Sequence, residues 1–260
     1  MQFFIYSNKD EVSVKLKEYL ISKLESTKCF IFDENNPSLI ISIGGDGRFL
    51  KSIRKNINRL DKIAFVGISS GKLGYLCDYD ASEIDEFIDS LISNEPTYDK
   101  RALIEVNYQE QRNYYLNEAR IEKVFETLSL EIYVNDIYLE KFAGNGLNVS
   151  SSTGSGAYNR SLGGPLLDPN MNLLILGEIS PINNIYHRGL NSFVVLNDSA
   201  VIKIKGKFNN CFLGGDNVYQ MIDNSIDNEI TFKLSDKHVT LAHYRQFNFV
   251  KKIRNSFIEK

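Results

Sequence analysis

The sequence predicts two folded parts: an N-terminal Rossmann-like α/β domain, then a β-rich, β-sandwich-like domain, with a C-terminal tail that packs back on the first. Three observations carry this. Short apolar runs alternate with amphipathic helical stripes through the first hundred residues, which implies a mostly parallel sheet covered by helices. From about Lys100 the apolar period drops to two, the spacing of half-buried strands. The tail mixes Phe247, Phe249, Ile253 and Phe257 with Lys251, Lys252 and Arg254, the composition of a closing segment. The expected domains are residues 1–98, 99–243 and the tail 244–260.

Taken in order, residues 2–6 read as a first buried strand. Val12, Leu16, Tyr19, Leu20 and Leu24 recur at helical steps and form one stripe. Residues 29–32, 39–43 and 63–68 are short β-prone runs. Ile84, Phe87, Ile88, Leu91 and Ile92 mark a second helix that ends before Pro96. Beyond the change of period, 101–108 and 114–121 read as strands joined by a polar turn. Residues 128–134 and 137–142 form a hairpin about Asn135-Asp136, residue types that tolerate the left-handed conformation. Further strands are expected at 173–176, 193–196, 201–204 and 229–234.

Composition narrows the function. Thirty Lys and Arg against 33 Asp and Glu give a net charge of −3, which excludes a basic clamp for nucleic acid. Hydrophobic content of 43% suffices for a packed core. Cys29, Cys77 and Cys211 are scattered, with no Cys-x-x-Cys pair, which fits a reducing, cytoplasmic location better than a disulfide scaffold. No apolar run nears the roughly 18 residues of a membrane span, and the first six residues lack the basic flank of a signal peptide. No membrane partner is expected. His187, His238 and His243 lack the spacing of a zinc site, so no protein-held metal is expected.

The sharpest local signal is a buried run ending in Gly44-Gly45-Asp46-Gly47, with a helix expected directly after it. Glycines there let the backbone approach a ligand, and free N–H groups at the helix start attract phosphate. Open α/β sheets bind ligands at the carboxyl ends of their strands, where this turn sits. Two readings stay open: a tight connection in which Asp46 is an N-cap, or phosphoryl transfer in which Asp46 accepts a hydroxyl proton or helps position Mg²⁺. A carboxylate repels phosphate unless a cation or a proton transfer is involved, which favours the second. Gly67-Ile-Ser-Ser-Gly71-Lys72-Leu73 is one residue short of a Walker loop and lacks Ser or Thr after its lysine, and no Gly-x-Gly-x-x-Gly follows a strand.

Asn117-Glu118 falls inside the expected strand 114–121, where a solvated polar pair is the plain alternative to a functional one. Residues 142–165 pack Gly, Ser and Thr densely, presenting N–H groups and hydroxyls to a polar ligand. The alternative there is a long flexible loop.

In this order, the segments resemble the NAD kinase family in its bacterial form, over nearly the whole chain. The resemblance rests on Gly44-Gly45-Asp46-Gly47, Gly67-Ile-Ser-Ser-Gly71-Lys-Leu-Gly74-Tyr-Leu76, Asn117-Glu118, Gly144-Asn-Gly-Leu147, the Ser/Thr/Gly run to Ala157-Tyr158, and Gly163-Gly164-Pro165. It implies ATP-dependent transfer of a phosphoryl group to the 2′-hydroxyl of the adenosine ribose of NAD, giving NADP. It also implies Mg²⁺ or another divalent cation accompanying the ATP, and a homodimer or homotetramer.

Carried over by position, Asp46 is the implied proton acceptor and Gly44, Gly45 and Gly47 the phosphate loop. Lys51 offsets phosphate charge and Tyr75 lies near the adenine. Asn117 and Glu118 hold the adenosine half. Asn145, Gly156, Ala157, Tyr158, Asn159, Arg160 and Ser161 line the dinucleotide groove, with Ser180 near one end. The chain departs from the family pattern at Arg48, Ser69, Ala143, Asn145 and Gly156, where Thr, Asn, Arg, Asp and Thr are usual. Two other functions stay open: a lipid or sugar-phosphate kinase sharing the glycine turn, and a catalytically silent dinucleotide sensor.

Overall fold

The computed structural model describes residues 1–71, 74–185 and 188–258, with no side chain described for Asp227. Lys72 and Leu73 of the second glycine-rich segment, and His187, lie outside the described residues. The chain divides into two compact units: Met1–Lys100 together with His238–Lys260, and Arg101–Lys237.

The first unit holds β1 (Gln2–Ser7), α1 (Glu11–Ser26), β2 (Ile31–Phe32), β3 (Leu39–Ile43), α2 (Asp46–Lys55), β4 (Ala64–Ser69), β5 (Tyr79–Asp80) and α3 (Ile84–Ser93). Its sheet is parallel in the order β2-β1-β3-β4. All five residues of β3 are buried, which is why this strand reads as an unbroken apolar run rather than an alternating one. Asp10 caps α1 by accepting the Ser13 N–H at 2.9 Å. Phe3, Ile5, Leu20, Leu24, Ile41 and Phe87 belong to the core between sheet and helices. Because β3 and β4 are neighbours in register, with Ile43 opposite Ile68, the loops that leave them emerge side by side.

The chain continues through β6 (Thr97–Tyr108), β7 (Gln111–Tyr115), β8 (Glu118–Glu122), β9 (Leu128–Val134), β10 (Ile137–Gly144), β11 (Gly146–Ser151), the short α4 (Tyr158–Ser161), β12 (Leu174–Ile179), β13 (Val194–Leu196), β14 (Val201–Gly215) and β15 (Val218–His243). Here the pairing is antiparallel: β13-β12-β11-β8-β14-β15, with β9 on the other stretch of β14 and β10 on β9. Ile104, Ile121, Leu130, Val149, Ile202 and Phe232 lie in its core. A last α-helix, α5 (Phe249–Ile253), follows in the tail and runs into a π-helical turn at Arg254–Ile258. Among the described residues no helix is long and apolar enough to cross a membrane.

The structure corrects several expected elements. The run 114–121 is two strands, because β7 ends at Tyr115 and the backbone turns at Leu116-Asn117 before β8. Residues 201–204 and 229–234 are fragments of the long hairpin β14–β15. Asp216 and Asn217 make its turn with φ of 49° and 63°, and register shifts between Gly206 and Cys211 break the alternation that would reveal it in sequence. Only Ile31–Phe32 of the run 29–32 is strand. The chain rejoins the first unit at His238 rather than after residue 243, since Thr240 and Leu241 pair in parallel with Ala64 and Phe65 of β4. The Asn135-Asp136 turn has φ of 51° and 63°, the left-handed pair that a two-residue hairpin needs.

Ile121 is fully buried in the core of the second unit. Ile121→Ala is expected to lower stability by about 2–5 kcal/mol, read from chemical denaturation.

Candidate active site

The first unit carries the glycine-rich turn. Gly44 has φ of +148°, and a Cβ there would lie 2.9 Å from Arg48 Cβ, so this position demands glycine. Gly45 takes the N-cap place of α2 without any side-chain bond, and Asp46 is the first helical residue. The N-cap reading of Asp46 is therefore incorrect: its carboxylate turns away from its own helix. It accepts the Tyr75 N–H on Oδ2 and the Leu76 N–H on Oδ1, both at 2.9 Å. Gly74 makes room for this, because a Cβ on it would sit 2.1 Å from Asp46 Oδ1. Two loops distant in sequence are thus locked through one half-buried carboxylate.

The remaining groups of this unit divide by contact. Arg48 donates from Nε to Asn8 Oδ1 at 2.7 Å, which settles the direction of the guanidinium stem. Gly47 and Lys51 are exposed on α2, whose buried face is Phe49, Leu50, Ser52 and Ile53. Tyr75 stacks its ring on Phe257, with centroids 5.7 Å apart and planes 17° from parallel. Cys77 is buried against the Gly44 carbonyl, and burial pushes its thiol up, leaving it inert.

In the second unit, Asn117 and Glu118 are 9% and 7% exposed, so the solvated-pair reading does not hold. The bend before β8 is held by Asp216, whose carboxylate accepts the Leu116 N–H at 2.5 Å and the Asn117 N–H at 2.9 Å. Burial, followed by the nearby Asp216 charge, pushes the Glu118 carboxyl up to about 7. Glu118 Oε2 is buried without a hydrogen-bond partner among the described residues. Alternation along β8 places Glu118, Arg120 and Glu122 on one face, while Ala119 and Ile121 point into the core.

Arg120 pairs with Glu122 at 2.9 Å and lies 4.0 Å over the Tyr158 ring, whose hydroxyl donates to Glu122 at 3.2 Å. Arg120 and Glu122 line a cavity of about 490 Å³ with Val124, Phe212, Asn217 and Tyr219. Gly156 and Ala157 connect a single 3₁₀ turn to α4 and are half-buried, whereas Arg160 and Ser161 are exposed. Asn159 is fully buried, and its amide donates to the Ser155 and Pro165 carbonyls at 3.2 and 3.0 Å, which shapes the loop, while its Oδ1 is buried without a partner among the described residues. Asn145 donates to the Lys123 carbonyl at 3.1 Å, bracing the strand ends. Ser180 is exposed with φ of 46° beside Gly144.

Asp216, Arg120 and Glu122, which brace the bend and flank Tyr158, were not singled out from the sequence. The i, i+2, i+4 spacing of Glu118, Arg120 and Glu122 was a readable signal for two of these. Asp216 acts on residues about a hundred positions away, which no local pattern reports.

Residues 112–244 match the family profile for the ATP-NAD kinase C-terminal domain. Among curated proteins, the chain is 32% identical to an NAD kinase of Leuconostoc mesenteroides over 265 residues, covering 100% of this chain and 99% of that one. It is 31% identical to NAD kinase 1 of Listeria innocua, covering both chains completely. Among solved structures, yeast NADH kinase complexed with NADH superposes with a TM-score of 0.79 at 17% identity, covering 100% of this chain and 89% of that one. An NAD kinase from Archaeoglobus fulgidus in complex with ATP gives 0.76 at 20% identity, covering 98% and 99%. The structural likenesses show the fold.

Two outcomes test this geometry without reference to any reaction. Gly74→Ala is expected to cost about 1–3 kcal/mol in denaturation, because a methyl group would overlap the Asp46 carboxylate. Combined with Asp46→Ala, the loss should be smaller than the sum of the two single effects. The second outcome concerns Glu118. Its folded value near 7 lies above the ordinary 4.5, so between those values the folded chain holds a proton that the unfolded chain has released. Its contribution to stability therefore falls as pH rises through that window. Glu118→Gln should raise thermal stability relative to the parent more at pH 8 than at pH 5, by on the order of 1–3 kcal/mol.

Proposed function

The chain belongs to the NAD kinase family, and we infer that it transfers the terminal phosphoryl group of ATP to the adenosine ribose 2′-hydroxyl of NAD, yielding NADP. The observation that carries the mechanism is the aim of Asp46. Each of its oxygens accepts one backbone N–H, which fixes the carboxylate in orientation and leaves it lone pairs for a further proton. A ribose hydroxyl is a poor nucleophile at neutral pH, and a positioned carboxylate that takes its proton as the bond to phosphorus forms removes that obstacle. The Gly44 N–H is taken by the Ile68 carbonyl at 2.9 Å, and those of Gly45, Asp46 and Gly47, at the start of α2, suit phosphate oxygens. Lys51, exposed on the same helix, adds positive charge.

In this reading Asn117 and Glu118 hold the adenosine half, with the unpartnered Glu118 Oε2 offered to a ribose hydroxyl. By the family resemblance, Tyr75 of the first unit and Asn145, Gly156, Ala157, Tyr158, Arg160, Ser161 and Ser180 of the second are assigned to NAD binding, and Asn159 shapes the loop that carries several of them. Among the described residues, no group of three or more His, Cys, Asp or Glu is placed to hold a metal ion. A divalent cation accordingly fits here as part of the nucleotide, held by its phosphates with at most one or two carboxylates, Asp46 being the one at hand. Bound in that way, it would neutralise charge on the transferring group. We assign the protein to the cytoplasm, where its two buried thiols and exposed Cys29 stay reduced, and to a homodimer or homotetramer, as the family resemblance implies.

The test is purified protein with ATP, Mg²⁺ and NAD, read by an NADP-specific dehydrogenase. NADP formation is the expected result. NAD binding without product would instead make the chain a sensor, and neither would leave another acceptor. Asp46→Asn is expected to lower kcat by about a hundredfold or more while the NAD dissociation constant in calorimetry stays within about threefold. Near-normal turnover in that variant would remove Asp46 as the proton acceptor.

A further inference from the structure

The mechanism leaves unused a buried cation in the tail. Asn248 caps α5 by accepting the Lys251 N–H at 2.9 Å, which fixes the direction in which the next residue leaves the helix. That residue, Lys252, has a side chain only 10% exposed. Its ammonium donates to the Cys77 carbonyl and stands 4.0 Å from Asp78 Oδ1. Burial lowers its affinity for a proton, with the charges of Asp78 and Asp46 opposing that effect. Asp78 is held in turn by His243, whose ring bridges Asp78 at 2.5 Å and Asp99 at 3.1 Å. The root of the tail is tied down by Arg245, bidentate to Glu83 at 2.7 and 3.1 Å.

These contacts converge on one stretch of backbone. Cys77 and Asp78 directly follow Tyr75 and Leu76, the two residues whose N–H groups hold the Asp46 carboxylate. Phe257 stacks on the Tyr75 ring from the same tail. A buried ammonium is a poor means of stabilising a fold, since a well-packed apolar residue of similar volume commonly does as well or better. Its placement one residue beyond the Leu76 donor has a different use.

We propose that Lys252, assisted by Phe257, is a positioning residue for phosphoryl transfer: by gripping the Cys77 carbonyl, it fixes the Tyr75 and Leu76 N–H groups that aim Asp46. The proposal rests on Asp46 being the proton acceptor. It makes the tail part of the catalytic machinery without any contact between the tail and substrate.

The experiment is steady-state kinetics in NAD and ATP for the full chain and the variants Lys252→Met, Lys252→Arg, Lys251→Met and Phe257→Leu, with thermal melts on each. Lys252→Met is expected to lower kcat about tenfold to a hundredfold, the scale of a small misplacement of a reacting group, with both KM values within about twofold. Lys252→Arg, which keeps a charged donor, should recover most of the loss, and the exposed Lys251→Met should match the parent. A folded Lys252→Met protein with parental kcat would overturn the proposal. So would a loss confined to KM, or one that Arg does not restore. Should Lys252→Met fail to fold, Phe257→Leu reads the same grip, and an unchanged kcat there would also overturn it. A parent chain that forms no NADP would overturn the proposed function itself, a result distinct from an active parent with an indifferent Lys252.

Discussion

A carboxylate accepting two backbone N–H groups is the constraint on which the loop arrangement of the first unit depends. The parallel pairing of β3 and β4 delivers two loops to the same end of the sheet, and Asp46 spans them. A lone acid on a glycine-rich turn would sample several rotamers and direct its lone pairs accordingly. Here both oxygens are claimed by amides whose own positions follow from Gly74, which lets the chain pass within contact distance, and from the tail. The fold thus fixes the orientation of this carboxylate in advance of any ligand.

The second unit solves a different problem, that of keeping a polar bend buried. The chain turns at Leu116-Asn117 inside a β-rich core, where free N–H groups would be costly. Asp216 meets that demand from a hairpin turn far along the sequence. A second carboxyl, Glu118, is buried nearby, and that burial, followed by the Asp216 charge, pushes it up to about 7, so that it is about half protonated at neutral pH. One acid answers a structural need and adds its charge to the burial that shifts the other. Arg120 and Glu122 extend the same face outward to the cavity beside Tyr158.

Much of this was legible from sequence, and the limits have physical causes. The turn at Asp46 stood out because a covered parallel strand is uniformly apolar and ends abruptly in glycine. The change of period near Lys100 stood out because half-buried antiparallel strands alternate. The hairpin β14–β15 did not, since bulges and the asparagines at 209, 210 and 224 interrupt its alternation. Asn159 stood in the segment that the family resemblance assigns to the groove, and its amide closes the loop on the Pro165 carbonyl. Asp216 and Lys252 act through tertiary contacts over a hundred residues or more, and only the folded backbone brings their partners within reach.

The long strand β15 begins in one unit and ends in the other, so the first unit is discontinuous in sequence. Its opening hundred residues emerge during synthesis without Thr240 and Leu241, their neighbours on β4, and without Arg245 and Lys252. The intervening unit, by contrast, is uninterrupted in sequence. Residues 238–260 thus supply partners that residues 1–100 need, and a chain cut before His238 would leave β4 without its β15 neighbour and lose the Arg245 and Lys252 contacts.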